Sequence, residues 1–339
     1  DGRDVRANII ATQHDLHARY HGVVPEIASR AHLERLLPVV QDALDTAGTT
    51  FEDLDAVAVG HRPGLIGSLL VGVSAAKALA LALDRPPIGV DHLLAHLYAP
   101  ALDDDPVPYP PLGQIVSGGH TSLFRVEAPL DARPLGHTID DAVGEAFDKA
   151  AAMLELGYPG GPAVDRLAAE GNDRAHDFPV AHLGRDEQGN RRLDFSFSGL
   201  KTALLYAIRG TPVREGDRTV FRRDASDLSP QARADLAASF QRAALDALVR
   251  HCRHALERFP DLRCLVVGGG VAANRRLRAE LEALARARNL PLRIPPQPFC
   301  LDNAAMIAGL AARAHESGRH DDLHLRAAAR SALVETDPA

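Results

Sequence analysis

His92 and His96 stand four residues apart, a spacing that puts both imidazoles on one face of a helix. Two neutral imidazoles so placed can share a metal ion; the alternative is two polar residues on a solvated face. A zinc-protease mechanism would need a glutamate directly after the first histidine as general base. Leu93 and Leu94 stand there instead, which argues against it. A third ligand is still required. Asp302, in the run Cys300-Leu301-Asp302-Asn303, is a candidate, and would equally serve as the N-cap of an expected helix.

Glycine turns are the second chemical theme. Ser117-Gly118-Gly119 and Gly268-Gly269-Gly270 each follow an apolar strand, where backbone N–H groups can approach phosphate oxygens closely. Each also reads as an ordinary turn. No GxxxxGK[ST] segment and no complete GxGxxG occurs, so P-loop and Rossmann readings have little support. Asp140 to Lys149 opens an expected helix with an acidic cluster, partly explained by the helix dipole, with Asp148 and Lys149 deeper inside. Tyr158-Pro159-Gly160-Gly161-Pro162 is a rigid turn before a helix that carries Asp165. Asp194 to Thr202 mixes aromatics with hydroxyls and reads as a strand feeding a helix.

Helical and strand patterns alternate along the chain, which predicts an α/β fold. Pro25 opens a helix whose apolar residues run from Ile27 to Leu44 and which stops at Gly48. A strand is expected at Ala56–Val59, an apolar helix from about Ser68 to Leu83, a strand at Ile88–Val90, and then the helix of the two histidines. Asp103 to Pro111 is the best linker signal. Beyond it, two strands joined by the glycine turn at 117–119 are expected. Long helices are expected at 140–156, 229–258, 272–288 and 302–318, and a buried strand at Leu262–Val267. Arg214 to Asp227 reads as an exposed charged loop.

The 339 residues favour two domains, and 46% hydrophobic with 24% charged residues is ordinary globular composition. The formal net charge of −7 gives no sign of a nucleic-acid binder at the level of the whole chain. Lys77, Lys149 and Lys201 are the only lysines, so arginine clusters carry little weight by themselves. Cys252, Cys264 and Cys300 form neither a disulfide framework nor a CxxC site. A membrane span needs roughly 18 apolar residues, and no such run or signal segment is expected here, which favours a cytoplasmic protein.

Eight segments occur in one order: Gly22-Val23-Val24-Pro25-Glu26-Ile27-Ala28-Ser29-Arg30, His92-xxx-His96, Val116-Ser117-Gly118-Gly119-His120-Thr121, Gly144 to Lys149, Tyr158 to Pro162, Phe195 to Thr202, Gly269 to Arg275, and Asp302 to Ile307. Together they closely resemble the TsaD-type tRNA threonylcarbamoyladenosine synthases, formerly called O-sialoglycoprotein endopeptidases. The match runs from about Asn8 to beyond Met306. The resemblance implies an actin-like, sugar-kinase-like fold, with two α/β lobes around a nucleotide cleft. It places a first lobe at 1–110, completed by a C-terminal helix at 302–335, and a second at 111–301.

The same resemblance implies transfer of threonylcarbamoyl from threonylcarbamoyl-AMP to the exocyclic amine of the tRNA adenosine 3′ of the anticodon. It implies a divalent metal, Fe2+ with Zn2+ as the alternative, on His92, His96 and Asp302. Ile115, Val116, Ser117, Gly118 and Gly119 match its substrate loop, and Asp148, Gly161, Asp165 and Asn274 its other substrate positions, for threonylcarbamoyl-AMP or ATP/ADP. Implied partners are tRNA, a paralogous TsaB-type protein and a small TsaE-type ATPase. Family members begin with a strand and a phosphate-holding turn, which are expected to be missing ahead of Asp1. For tRNA, a local basic patch at Arg275, Arg276 and Arg278 is expected. The rival readings are a carbamoyltransferase or kinase of the same fold acting on a small molecule, and a non-catalytic scaffold.

Overall fold

A computed structural model describes residues 2–13, 15–16, 20, 23–103, 106–215 and 218–334. Gly22 of the first matched segment, Asp104 and Asp105 of the expected linker, Gly216 and Asp217 of the charged loop, and the expected end of the last helix at Glu335 lie outside them.

Helix α1 (Pro25–Ala47) begins with proline in its first turn and ends at Gly48, whose φ of 62° is left-handed. Gly48 N–H donates to Asp45 O and Thr49 N–H to Leu44 O, which closes the helix end. Strands β1 (Val57–Arg62) and β2 (Pro87–Asp91) pair in parallel, joined by helix α2 (Ile66–Leu83). Helix α3 (His92–Tyr98) leaves β2 without a loop, because Asp91 ends the strand and caps the helix by accepting from Leu93 N–H at 2.9 Å.

A five-stranded sheet follows in the order β5-β4-β3-β8-β9. Its first strands are β3 (Pro111–Val116), β4 (Thr121–Ala128) and β5 (Asp131–His137), with Val116 opposite Thr121 across the turn. Helices α4 (Val143–Met153), α5 (Gly160–Ala168) and α6 (Ser198–Arg209) come next, then the small hairpin β6 (Val213–Glu215) and β7 (Arg218–Val220). Helix α7 (Pro230–Arg258) starts from a Ser229 cap with proline at its first position. Strand β8 (Cys264–Gly268) pairs parallel with β3, helix α8 (Arg275–Ala287) is capped by Asn274, and β9 (Leu292–Arg293) closes the edge. Both β3 and β8 are buried at every residue, which is why they read as continuous apolar runs. Phe147 on α4 meets Phe240 on α7 edge to face at 5.6 Å within the main core.

Helix α9 (Ala304–Glu316) returns to the first sheet. Met306 and Leu310 join Ile88, Val90 and Tyr98 in a second core cluster. The α/β class expected from the sequence is therefore present, with its main sheets of two and five strands packed by helices.

Several local expectations need correction. The helix expected at 140–156 is Val143–Met153, so Asp140 and Asp141 precede it and do not cap it. Helix α9 ends at Glu316, and residues 317–334 run as irregular chain rather than continuing a helix to 335. Part of the charged loop forms the β6–β7 hairpin. Of the strand expected near Phe195, only a single bridge to Thr138 forms before α6. An 18-residue apolar run does exist: α2 has a mean hydropathy of 1.9 and is long and apolar enough to cross a membrane. Its small residues and Lys77 disguise its length in the sequence.

Candidate metal centre and glycine turn

The direct β2–α3 junction decides where the histidines point. His92 is the first residue of α3 and His96 lies one turn later, so their rings meet edge to face with centroids 4.5 Å apart. Asp302 arrives from the loop before α9. Its Oδ1 lies 3.3 Å from His92 Nε2 and 3.2 Å from His96 Nε2. One potential ligand atom from each residue falls within 4.8 Å of the other two. The N-cap alternative for Asp302 does not hold: Asn303 caps α9, its side chain accepting from Met306 N–H at 2.9 Å. That leaves the Asp302 carboxylate free to face the imidazoles.

The donor set fits a divalent metal. His96 is fully buried, yet neither of its ring nitrogens completes a hydrogen bond. A buried imidazole left this way is costly unless something else takes its lone pair. Burial pushes the His96 imidazole down, toward the neutral form a metal requires. Crowding by the surrounding protein opposes ionisation of Asp302, but the two imidazoles outweigh it and hold the carboxyl well below the usual range. His120 is marked in the sequence only as part of the Val116–Thr121 run, yet it stands close enough to feel both histidines. Burial first, and their charges second, push it down to about 4.

The glycine turn lies against this centre. Ser117 N–H donates to His120 O at 2.8 Å, and His120 N–H donates to Ser117 Oγ at 3.0 Å, so the turn is held from both sides. Ile115 and Val116 are buried to 0% exposure, so only their backbone can serve a ligand. Gly118 and Gly119 have open space where a Cβ would stand. Gly144 at the start of α4 has no such room, since a Cβ there would lie 2.6 Å from Ser117 O. Gly269, at φ 99°, presses equally closely on Val116 O.

Four further predicted positions form a linked group on α4, α5 and the cap of α8. Asp148 Oδ1 accepts from Gly160 N–H at 2.8 Å, beside Gly161. Burial raises the Asp148 carboxyl above its usual value despite that bond. Asn274 Nδ2 donates to Asp165 Oδ1 at 3.2 Å and to Gln241 Oε1 at 2.8 Å. The expected basic patch is largely committed elsewhere. Arg275 pairs with Asp165, Arg276 with Asp173 and Glu280, and Arg278 donates to the Ala272 and Pro295 carbonyls.

Sequence reasoning gave no role to two other groups. Asp141 bridges Lys149 at 2.8 Å and Lys201 at 2.6 Å, while Asp140 accepts from Ser196 Oγ, Ser198 Oγ and Phe197 N–H. These bonds explain the Ser196 and Ser198 hydroxyls: they fasten the start of α6 to the loop before α4. Buried Asp91 accepts from Ser331 Oγ at 2.6 Å, and Arg62 Nε lies 3.3 Å from it. Adjacency to His92 was the one available signal for Asp91; nothing local marked Ser331.

A family model described as tRNA N6-adenosine threonylcarbamoyltransferase matches residues 4–309. A protein of that name from Symbiobacterium thermophilum is 48% identical over 96% of this chain and 89% of its own length. Another from Rhodopirellula baltica is 51% identical over 89% of this chain and 84% of its own. Among solved structures, HypF from T. kodakarensis aligns with a TM-score of 0.56 at 17% identity, over 85% of this chain and 44% of that one.

Proposed function

The chain belongs to the tRNA N6-adenosine threonylcarbamoyltransferase family, and from that premise we propose how its residues divide the work. It has the actin-like ATPase fold and is a transferase that modifies tRNA, forming threonylcarbamoyladenosine. Neither the small-molecule carbamoyltransferase or kinase nor the non-catalytic scaffold is favoured by relatives near 50% identity.

In our reading, His92, His96 and Asp302 hold one divalent metal. Their convergence within 4.8 Å around a buried, unbonded imidazole is the observation that carries the proposal. Two imidazoles and one carboxylate with open positions suit Fe2+, with Zn2+ the alternative. When bound, the metal supplies Lewis-acid polarisation of an oxygen on the activated donor.

The donor is threonylcarbamoyl-AMP, a mixed anhydride whose carbonyl carbon is already activated. The adenosine amine attacks that carbon, the bond to the phosphate oxygen breaks, AMP leaves, and the amine gives up a proton. Within the Ile115–Gly119 segment, where Ser117 N–H is already given to His120 O, the Gly118 and Gly119 N–H groups are the ones placed to stabilise charge on the leaving phosphate. Asp148 and Asp165 accept hydrogen bonds from donor hydroxyls, as ionised carboxylates do, with Asn274 and the Gly161 backbone completing that side. ATP or ADP would fit the same positions. The cleft lies between a lobe of about 1–110 with α9 and a lobe of about 111–301.

A TsaB-type partner and a TsaE-type ATPase complete the reading, which places the enzyme in the cytoplasm. Supporting the partner, α2 is apolar along its length while only 17% of it is buried, and Leu33 and Leu37 on α1 are exposed. The test is reconstitution with tRNA, threonine, bicarbonate, ATP and both partners, followed by nucleoside analysis. Modified adenosine is expected from the parent. His92→Ala should lose the bound metal by elemental analysis and lose product with it; unchanged metal content would remove the proposed site.

A further inference from the structure

A cavity of about 980 Å3 opens at the glycine turn, lined by Gly119 but by none of Asp148, Gly161, Asp165 or Asn274. One wall is the β4–β5 end, with His120, His137 and Thr138; the other is the irregular chain from Ala329 to Val334. Both walls tie into the elements around the metal centre. His120 N–H donates to Ser117 Oγ at 3.0 Å, so the first wall is continuous with the glycine turn. On the other side, Ser331 donates to Asp91, the residue that caps the helix of both histidines.

The C-terminal wall is pinned at several points. His61 Nδ1 donates to Arg326 O at 2.9 Å, Ala328 N–H to His61 O at 3.0 Å, and Gly64 N–H to Ala329 O at 3.3 Å. Ser331 Oγ also accepts from Leu333 N–H at 3.1 Å. Arg330 stands between these fixed residues, exposed and lining the cavity. Among the described residues it has no hydrogen-bond or ion-pair partner. A guanidinium left free on a braced backbone, in a chain of net charge −7, is suited to gripping a phosphate.

We propose that this cavity receives the acceptor adenosine of the tRNA, and that Arg330 binds a phosphate of the strand flanking it. The inference rests on the transferase reading above and assigns the second substrate its place. Of the donor positions only Gly119 lines it, so a polar cavity that meets the donor turn at that residue is where an incoming amine can reach the activated carbonyl. Its volume lies within the roughly 300–1,000 Å3 range of ligand sites. Bases of a single-stranded anticodon loop can be splayed into such a pocket while the backbone stays outside.

The experiment uses the full chain with its partners and an unmodified transcript whose anticodon is followed by adenosine. Arg330→Ala should lower kcat/KM for tRNA roughly tenfold, carried by KM, as expected for losing one charge-assisted contact. The KM for ATP and the metal content should not move, and Arg330→Lys should recover most of the loss. The slope of log KM for tRNA against log salt should fall by about 0.7–0.9 on losing one phosphate contact. Arg319→Ala removes the same charge from an exposed position outside the cavity and should leave KM for tRNA unchanged. An unaltered KM and salt slope in Arg330→Ala, or an equal effect from Arg319→Ala, overturns the proposal. Absence of product from the metal-loaded parent would instead strike the transferase reading itself.

Discussion

At the scale of single residues, the proposed metal trio was legible in part. Two histidines at helical spacing can be read from the sequence, whereas Asp302 stood equally as ligand or N-cap and was singled out by the family resemblance. One residue decided between ligand and cap, since Asn303 takes the cap and leaves Asp302 to the metal side. His251 shows what residue type alone does not reveal. It is buried on α7, donates from Nδ1 to Ala247 O at 2.7 Å, and packs on Phe195 with centroids 4.6 Å apart. Burial pushes its imidazole from 6.5 down to about 4. The unfolded chain therefore binds the proton first, so this residue costs nothing at neutral pH and destabilises the fold as pH falls from 6.5 towards 4. Fully developed, the cost is about 3 kcal/mol. Urea unfolding of the parent and His251→Gln at about pH 7.5 and about pH 4.5 should show the parent losing more stability, by about 2–3 kcal/mol. Equal losses in the two proteins would mean the ring is not held neutral.

At the scale of elements, types and approximate ends were readable from period and punctuation, as with Pro25 and Gly48 around α1. Pairing was not. Strand β8 lies far along the chain from β3, yet lies parallel beside it, and no local pattern encodes that choice. The pairing is what gives Gly268 its meaning. The sequence offers it as one of three turn glycines, but the structure presses it against α3, where a Cβ would lie 2.2 Å from His96 O. The obstacle is backbone on both sides, so strand or metal helix must move. Gly268→Ala should cost about 1–3 kcal/mol in stability, as overpacking does. It should also lower metal content, because the displaced helix carries both imidazoles. Gly118→Ala meets open space and should change stability by no more than about 0.5 kcal/mol. Chemical denaturation and elemental analysis of the two variants separate them, and equal behaviour would show that α3 does not depend on this close approach.

At the scale of the whole molecule, periodicity tells which face of a helix is apolar but not what covers it. Leu33 and Leu37 repeat on α1 as core residues would, yet they are 71% and 64% exposed. On α2, Leu70 and Leu81 are eleven residues apart, close to three turns, so they share one face and are 52% and 69% exposed. Four exposed leucines on two helices that pack together leave apolar surface that a monomer would bury if its own fold could reach it. A membrane would accept α2 by length and hydropathy, but α2 also packs on β1 and α1, which holds it on the body of the fold. A protein surface is therefore the better cover, and we propose the TsaB-type partner as its occupant. Leu70→Asp with Leu81→Asp places two charges on that face while leaving the metal centre untouched. Light scattering should show the partner complex weakened at least about tenfold, with metal content at the parent level. The parent should also fail to co-sediment with phospholipid vesicles. An intact partner complex in the double variant would mean that another surface holds the partner, and vesicle binding by the parent that the double variant loses would return α2 to the membrane.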